Sequence, residues 1–142
     1  MNDTTIEDGA TVRYAILDEK VTVGKKATVG ASRESGAAIA VVENASVTAG
    51  CQIFGTVKNS VLGANVYVGK GAVVEDSVIM NDTVIEDGAT VQYAILDEKV
   101  TIGKKATVGA PRQSGAAIAV VGAEVSIGAG EVVAPGAMLS EN

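Results

Sequence analysis

Residues 57–91 read VKNSVLGANVYVGKGAVVEDSVIMNDTVIEDGATV. Aliphatic residues recur in this stretch at Val57, Leu62, Val68, Val74, Ile79, Ile85 and Val91, in steps of 5, 6, 6, 5, 6 and 6. Helical faces return every 3 or 4 residues and a simple strand alternates every 2, so neither element explains the spacing. A step near six that closes in threes, 17 residues at a time, describes a chain that turns a corner after each short strand. Three such strands complete a triangular coil, and repeats this short imply a solenoid. The phase continues through Leu96, Ile102 and Val108.

Stacked coils give columns. One wall takes Val57, Val74, Val91 and Val108, the second Leu62, Ile79 and Leu96, and the third Val68, Ile85 and Ile102. Strand alternation points inward again two residues earlier. The residues there are Ser60, Ser77 and Ala94, then Val66, Thr83 and Val100, then Ala72, Ala89 and Ala106. Most are small, as a tight corner requires. Ile6, Val12, Leu17, Val23 and Val29 carry the scheme into the early chain. Gly9, Gly24, Gly71, Gly88 and Gly103 fall at or beside the corners, where positive φ costs glycine little.

The chain also repeats at long range. Met1–Val42 and Met80–Val121 are identical at 37 of 42 positions, the differences being Thr5/Val84, Arg13/Gln92, Val23/Ile102, Ser32/Pro111 and Glu34/Gln113. Old tandem copies drift apart, so this duplication is recent or deliberate, with an engineered origin as the favoured reading. The copies diverge after Val42, which puts the junction near Glu43 within one domain of 142 residues. Two Gly-rich segments, GASRESGAA at 30–38 and GAPRQSGAA at 109–117, leave the coils as loops.

Composition restricts the function. The net charge is −6, with 17 acids against 11 bases, which argues against a nucleic-acid partner. No leader or apolar run of bilayer length is present, so a soluble, cytoplasmic chain without a membrane partner is expected. The only aromatic residues are Tyr14, Phe54, Tyr67 and Tyr93, so the core should be thin and aliphatic. Cys51 has no cysteine to pair with and sits at a small inward position. It is expected in the core.

The hexads I-EDGAT, V-GKKAT and I-GKKAT resemble the hexapeptide repeat of left-handed parallel β-helices. From Ala45 onward, ASVTAGCQIFGTVKNSVLGANVYVGKGAVVEDSVIM and the segment after it resemble the C-terminal β-helix of bacterial glucose-1-phosphate adenylyltransferases. The resemblance implies the left hand and a role in subunit contacts and allosteric control. The Gly-rich, Arg-containing nucleotide loop of that family has no counterpart in this sequence.

Hexapeptide β-helices also include acyltransferases and a class of carbonic anhydrase, which usually depend on histidine. This chain has none. The expectation is therefore an assembly module that is not an enzyme, with no catalytic residue, no cofactor and no metal. An anion-binding regulatory module and a histidine-free acyltransferase are the alternatives. The pairs Glu7/Asp8 and Glu86/Asp87 read as solvated corners, and GANVYVGKG (63–71) lacks phosphate-loop spacing. An ice-binding face is disfavoured because the outward column Thr56, Val73, Thr90, Thr107 is single and broken.

Two candidate sites remain. Lys25, Lys26 and Arg33, repeated as Lys104, Lys105 and Arg112, form candidate anion sites for phosphate or sulfate. The outward residues Val61, Val78 and Ile95, with Ile16 placed in the same stripe, form a candidate interface. That stripe, together with open coil edges, predicts a homo-oligomer.

Overall fold

The computed structural model describes residues 3–31 and 39–140. The chain is a left-handed parallel β-helix. Among the described residues the strands are two to four residues long, and each bends into the next at a corner of one or two residues or a longer loop. The described strands fall into three parallel sheets of eight, seven and seven strands, each made of every third described strand. We call these walls first, second and third, after the order in which Thr5–Ile6, Thr11–Val12 and Ala15–Leu17 enter them.

The columns read from the sequence are the registers found. Val57, Val74, Val91 and Val108 pair along the third wall. Leu62, Ile79 and Leu96 pair along the first, and Val68, Ile85 and Ile102 along the second. All ten are buried, and so is every small inward residue two positions earlier. Stacking therefore removes three aliphatic side chains per coil from water, each contributing roughly 1.5–3 kcal/mol. No buried side-chain N or O among the described residues lacks a partner. Ser77 shows how: its Oγ donates to the Glu75 carbonyl at 2.7 Å and accepts from the Ala94 N–H at 3.1 Å, knitting one corner to the next.

Coil length varies more than a strict 17. Val42 pairs with Val57 only 15 residues on, whereas Leu96 pairs with Val121 after 25, because the 110–118 loop interrupts that coil. Among the corner glycines, Gly24 and Gly103 correct the expectation of positive φ. A Cβ on Gly103 would come within 2.6 Å of the Ala129 nitrogen, and one on Gly24 within 2.7 Å of Ala49, so close stacking is what demands glycine there.

The duplicated segments do not superpose around the prism. Ile6 stands in the first strand and its copy Ile85 in the fourteenth, four coils and one further wall along. Every element of the second copy is thereby turned one wall from its original. Ile16 lies at the end of the third wall, where Val41 joins it to the rest of that ladder, while its copy Ile95 lies on the first. The expectation that Ile16 shares a stripe with Val61, Val78 and Ile95 is therefore corrected. The stripe instead runs on through Val120 and Met138, so five consecutive outward rungs of the first wall are apolar.

Candidate functional site

The edge where the third wall turns into the first carries a repeated local motif, Glu43-Asn44-Ala45, Lys58-Asn59-Ser60 and Glu75-Asp76-Ser77. Asn44, Asn59 and Asp76 take the left-handed conformation there, at φ 44°, 49° and 51°. Asn and Asp tolerate this region better than other side-chain-bearing residues. The corners hold one another through the backbone: Asn59 N–H donates to Glu43 O at 3.0 Å and Asp76 N–H to Lys58 O at 3.1 Å. The side chains follow, with Asn44 Nδ2 donating to Asn59 Oδ1 at 2.7 Å. The result is a polar ladder one rung apart, roughly 4.8 Å per step.

Two adjoining hollows lie along this ladder. One, of about 310 Å³, opens between Lys20, Asn44, Ser46 and Val61. The other, of about 420 Å³, is lined by Asn44, Asn59, Val61, Asp76, Val78 and Arg112. Sharing Asn44, Asn59 and Val61, they form one groove. Its sides differ in character, with amides and a carboxylate along the edge and two exposed valines of the first wall opposite. Arg112 arrives from far along the chain. Its loop leaves the same edge after Thr107–Gly109, makes a short turn over Arg112–Ser114 and folds back over earlier coils. The Tyr93 ring holds it there, 5.9 Å from the guanidinium carbon. Such a contact on the surface contributes about 0.5–1 kcal/mol.

Asp76 and Arg112 face the same groove without closing on each other. Among the described residues the ion pair that forms is Lys58 with Glu43, at 3.9 Å. Both side chains of that pair are about two-fifths exposed, and it contributes little.

The candidate anion residues are distributed differently from the sequence expectation. Lys25 and Lys26 stand at the edge between the first and second walls, Lys104 and Lys105 at the edge between the second and third, and Arg112 on the groove edge. In the second copy the basic residues therefore do not converge. Arg33 lies outside the described residues. Each lysine pair instead stacks against an acidic corner of the preceding coil: Lys26 N–H donates to Asp8 O at 3.2 Å, Lys105 N–H to Asp87 O at 3.1 Å, and Lys25 N–H to a Glu7 carboxylate oxygen at 3.2 Å. At Lys25 a carboxylate oxygen already accepts the backbone N–H.

Cys51 is fully buried, and its Sγ lies 3.0 Å from the Gly63 carbonyl. Burial pushes the thiol above its ordinary value despite backbone hydrogen bonds that pull it down. It is a core residue and not a nucleophile. The Tyr67 hydroxyl is also raised, first by burial and then by the charges of Asp87 and Glu86. No group of three or more metal-ligating side chains is assembled among the described residues, and no helix is long and apolar enough to cross a membrane.

The groove ladder was legible but missed. An Asn or Asp precedes a small inward residue at three successive coils of this edge, Asn44, Asn59 and Asp76, whereas the next coil has Tyr93 before Ala94. Arg112 could not have been placed there, because the loop's direction depends on its contact with Tyr93.

A family described as GlmU-like, C-terminal hexapeptide matches residues 33–127. No curated protein matches the chain. Among solved structures, the chain is similar to a UDP-N-acetylglucosamine acyltransferase from Campylobacter jejuni, at 15% identity and a TM-score of 0.41 over 99% of this chain and 66% of that one. It is also similar to a Bacillus cereus protein assigned as an acetyltransferase, at 13% identity and a TM-score of 0.35 over 91% of this chain and 71% of that one. This chain thus spans just under two thirds of the first structure's length. Both are named for acyl transfer, and on that finding the expectation that the chain is not an enzyme is corrected. At these identities the likeness itself is one of fold.

Proposed function

The chain belongs to the GlmU-like, C-terminal hexapeptide family, and on that premise we propose that it is a hexapeptide-repeat acyltransferase module whose acyl acceptor sits in the groove beneath Arg112. The observation that carries this reading is the groove: a polar ladder on one side, an apolar wall on the other, and a loop folded back over both.

With no histidine in the chain and Cys51 sealed in the core, transfer proceeds without an acyl-enzyme. The acceptor's amine or hydroxyl attacks the thioester carbonyl of an acyl-coenzyme A directly. A bond forms between the acceptor and the carbonyl carbon, the C–S bond breaks, and the thiolate leaves and takes a proton. What the protein supplies is position, which can account for much of a rate enhancement when two reactants are held in line. The test is incubation with acetyl-coenzyme A and a panel of amines and alcohols, following free thiol and acylated product by mass. Product above a heat-inactivated sample, reduced in the Asp76→Asn and Arg112→Gln variants, supports the reading. Absence of product across the panel contradicts it.

The apolar ladder favours a second reading, an assembly module like the β-helix of the adenylyltransferases that the sequence resembles. Val61, Val78 and Met138 are 52%, 41% and 80% exposed on one face, where water should meet polar side chains. Light scattering with a mass readout, across a concentration series, tests it: Val78→Lys should lower the mass of any oligomer. A monomer at every concentration contradicts this reading.

A further inference from the structure

We propose that the acceptor bound in the groove is a zwitterion, a small molecule with one primary amine and one carboxylate. The inference rests on the acyl-transfer reading and deepens it.

The groove carries opposite charges from different parts of the chain. Asp76 comes from a coil corner and Arg112 from the loop that folds back over it, and both line the same hollow. No ion pair joins them. Two unlike charges that share a groove without meeting leave room for a ligand that bridges them. Its cation faces Asp76 and its anion faces Arg112.

The charge count narrows the class. In the second hollow one guanidinium and one carboxylate balance a ligand of net charge zero. A planar guanidinium matches a carboxylate in a two-pronged hydrogen bond. A phosphate near neutral pH carries close to two charges and would call for a second cation beside Arg112. The other cation of the groove, Lys20, lines the first hollow and not the second. The amides of Asn44 and Asn59 line the same hollow, while Val61 and Val78 suit a short apolar stem.

The chemistry closes on this ligand. The acceptor arrives as an ammonium held by Asp76 and loses one proton to water. The freed nitrogen lone pair attacks the thioester carbonyl, the C–S bond breaks, and the second nitrogen proton goes to the departing thiolate. The products are an N-acyl amino acid and coenzyme A thiol, and one proton is released to solution. Transfer should therefore quicken as pH rises toward the pKa of the amine.

Binding is measured without coenzyme A, by isothermal titration and by NMR shift perturbation of the intact chain. The probes are glycine, β-alanine and γ-aminobutyrate, against propionate, ethylamine and phosphoethanolamine. At least one amino acid should saturate, with shifts at Asn59, Asp76 and Arg112. Asp76→Asn and Arg112→Gln should each weaken it about tenfold, the loss of one charge-assisted contact, while Arg112→Lys retains part of the affinity. Glu98→Gln, on another edge, should change nothing, and circular dichroism checks that each variant folds. Saturable binding without acyl transfer would uphold the zwitterion and contradict the transfer reading. Acyl transfer that ignores both substitutions would do the reverse. Tighter binding of propionate, ethylamine or phosphoethanolamine than of every amino acid would overturn the proposal.

Discussion

Ile6 and Ile85 occupy the same place in two nearly identical stretches of sequence, yet Ile6 is 51% exposed and Ile85 is fully buried. Val12 and Val91 differ in the same way, half-buried against buried. The local sequence cannot be the cause, since it is shared. What differs is the stack. Ile6 belongs to the outermost described coil, with a paired strand on one side only, whereas Ile85 has paired strands on both. In a solenoid the local sequence decides which way a side chain points, and the neighbouring coils decide how much that direction stabilises.

The strongest way to break this comparison is to place one charge in both copies. Val91→Asp would put a carboxylate into a dry aliphatic column with no partner, a loss on the order of 4 kcal/mol. Val12→Asp should lose roughly 1–2 kcal/mol, because water reaches that coil. Thermal melts of the two variants should differ accordingly. Equal losses would mean that the stack does not control burial.

Gly30 and Gly109 are copies whose surroundings do travel with them. Each has positive φ, and a Cβ on either would strike the backbone oxygen of Arg13 or Gln92, one residue of the same copy standing for the other. Alanine at either position should destabilise by about 2–3 kcal/mol. Gly115→Ala, with nothing within 4 Å, should lose only about 1 kcal/mol. Denaturant midpoints would separate the three. A harmless Gly109→Ala would show that the loop does not leave the edge as described.

Ser77→Ala should have a smaller effect, about 1–2 kcal/mol, from the unpaired Ala94 N–H it leaves behind. The pH dependence should be smaller again. The folded chain holds the Cys51 proton more tightly than the unfolded chain, because burial raises the thiol. That contribution is complete below about pH 8.5, the ordinary value, and declines as pH rises through the folded value. Melts at pH 7 and pH 10 should show a steeper alkaline decline in the wild type than in Cys51→Ala.

The columns were legible because a triangular coil has a single periodicity, and ten aliphatic residues from Val57 to Val108 repeat it without interruption. The wall on which each copy lands was not legible. Residues 43–79 intervene between the copies, and the number of strands in the first copy and in that segment sets the rotation, which residue spacing does not count. That is why Ile16 appeared to share a stripe with Ile95. The groove combines both situations. Asn44, Asn59 and Asp76 follow the coil period, so they could have been found, whereas Arg112 reaches them through a tertiary contact with Tyr93 that has no periodic trace.

The rotation of one copy against the other can be tested by cross-linking. In a Cys51→Ala background, cysteines at Ile16 and Val41 should oxidise readily to a disulfide, because the two residues pair on adjacent rungs of the third wall, within the Cα separation such a bond spans. Cysteines at Ile16 and Ser46 should not, because Ser46 belongs to the first wall, in the ladder that leads to Val61. Cross-linking of Ile16 with Ser46, and not with Val41, would put both copies on the same wall and contradict the account.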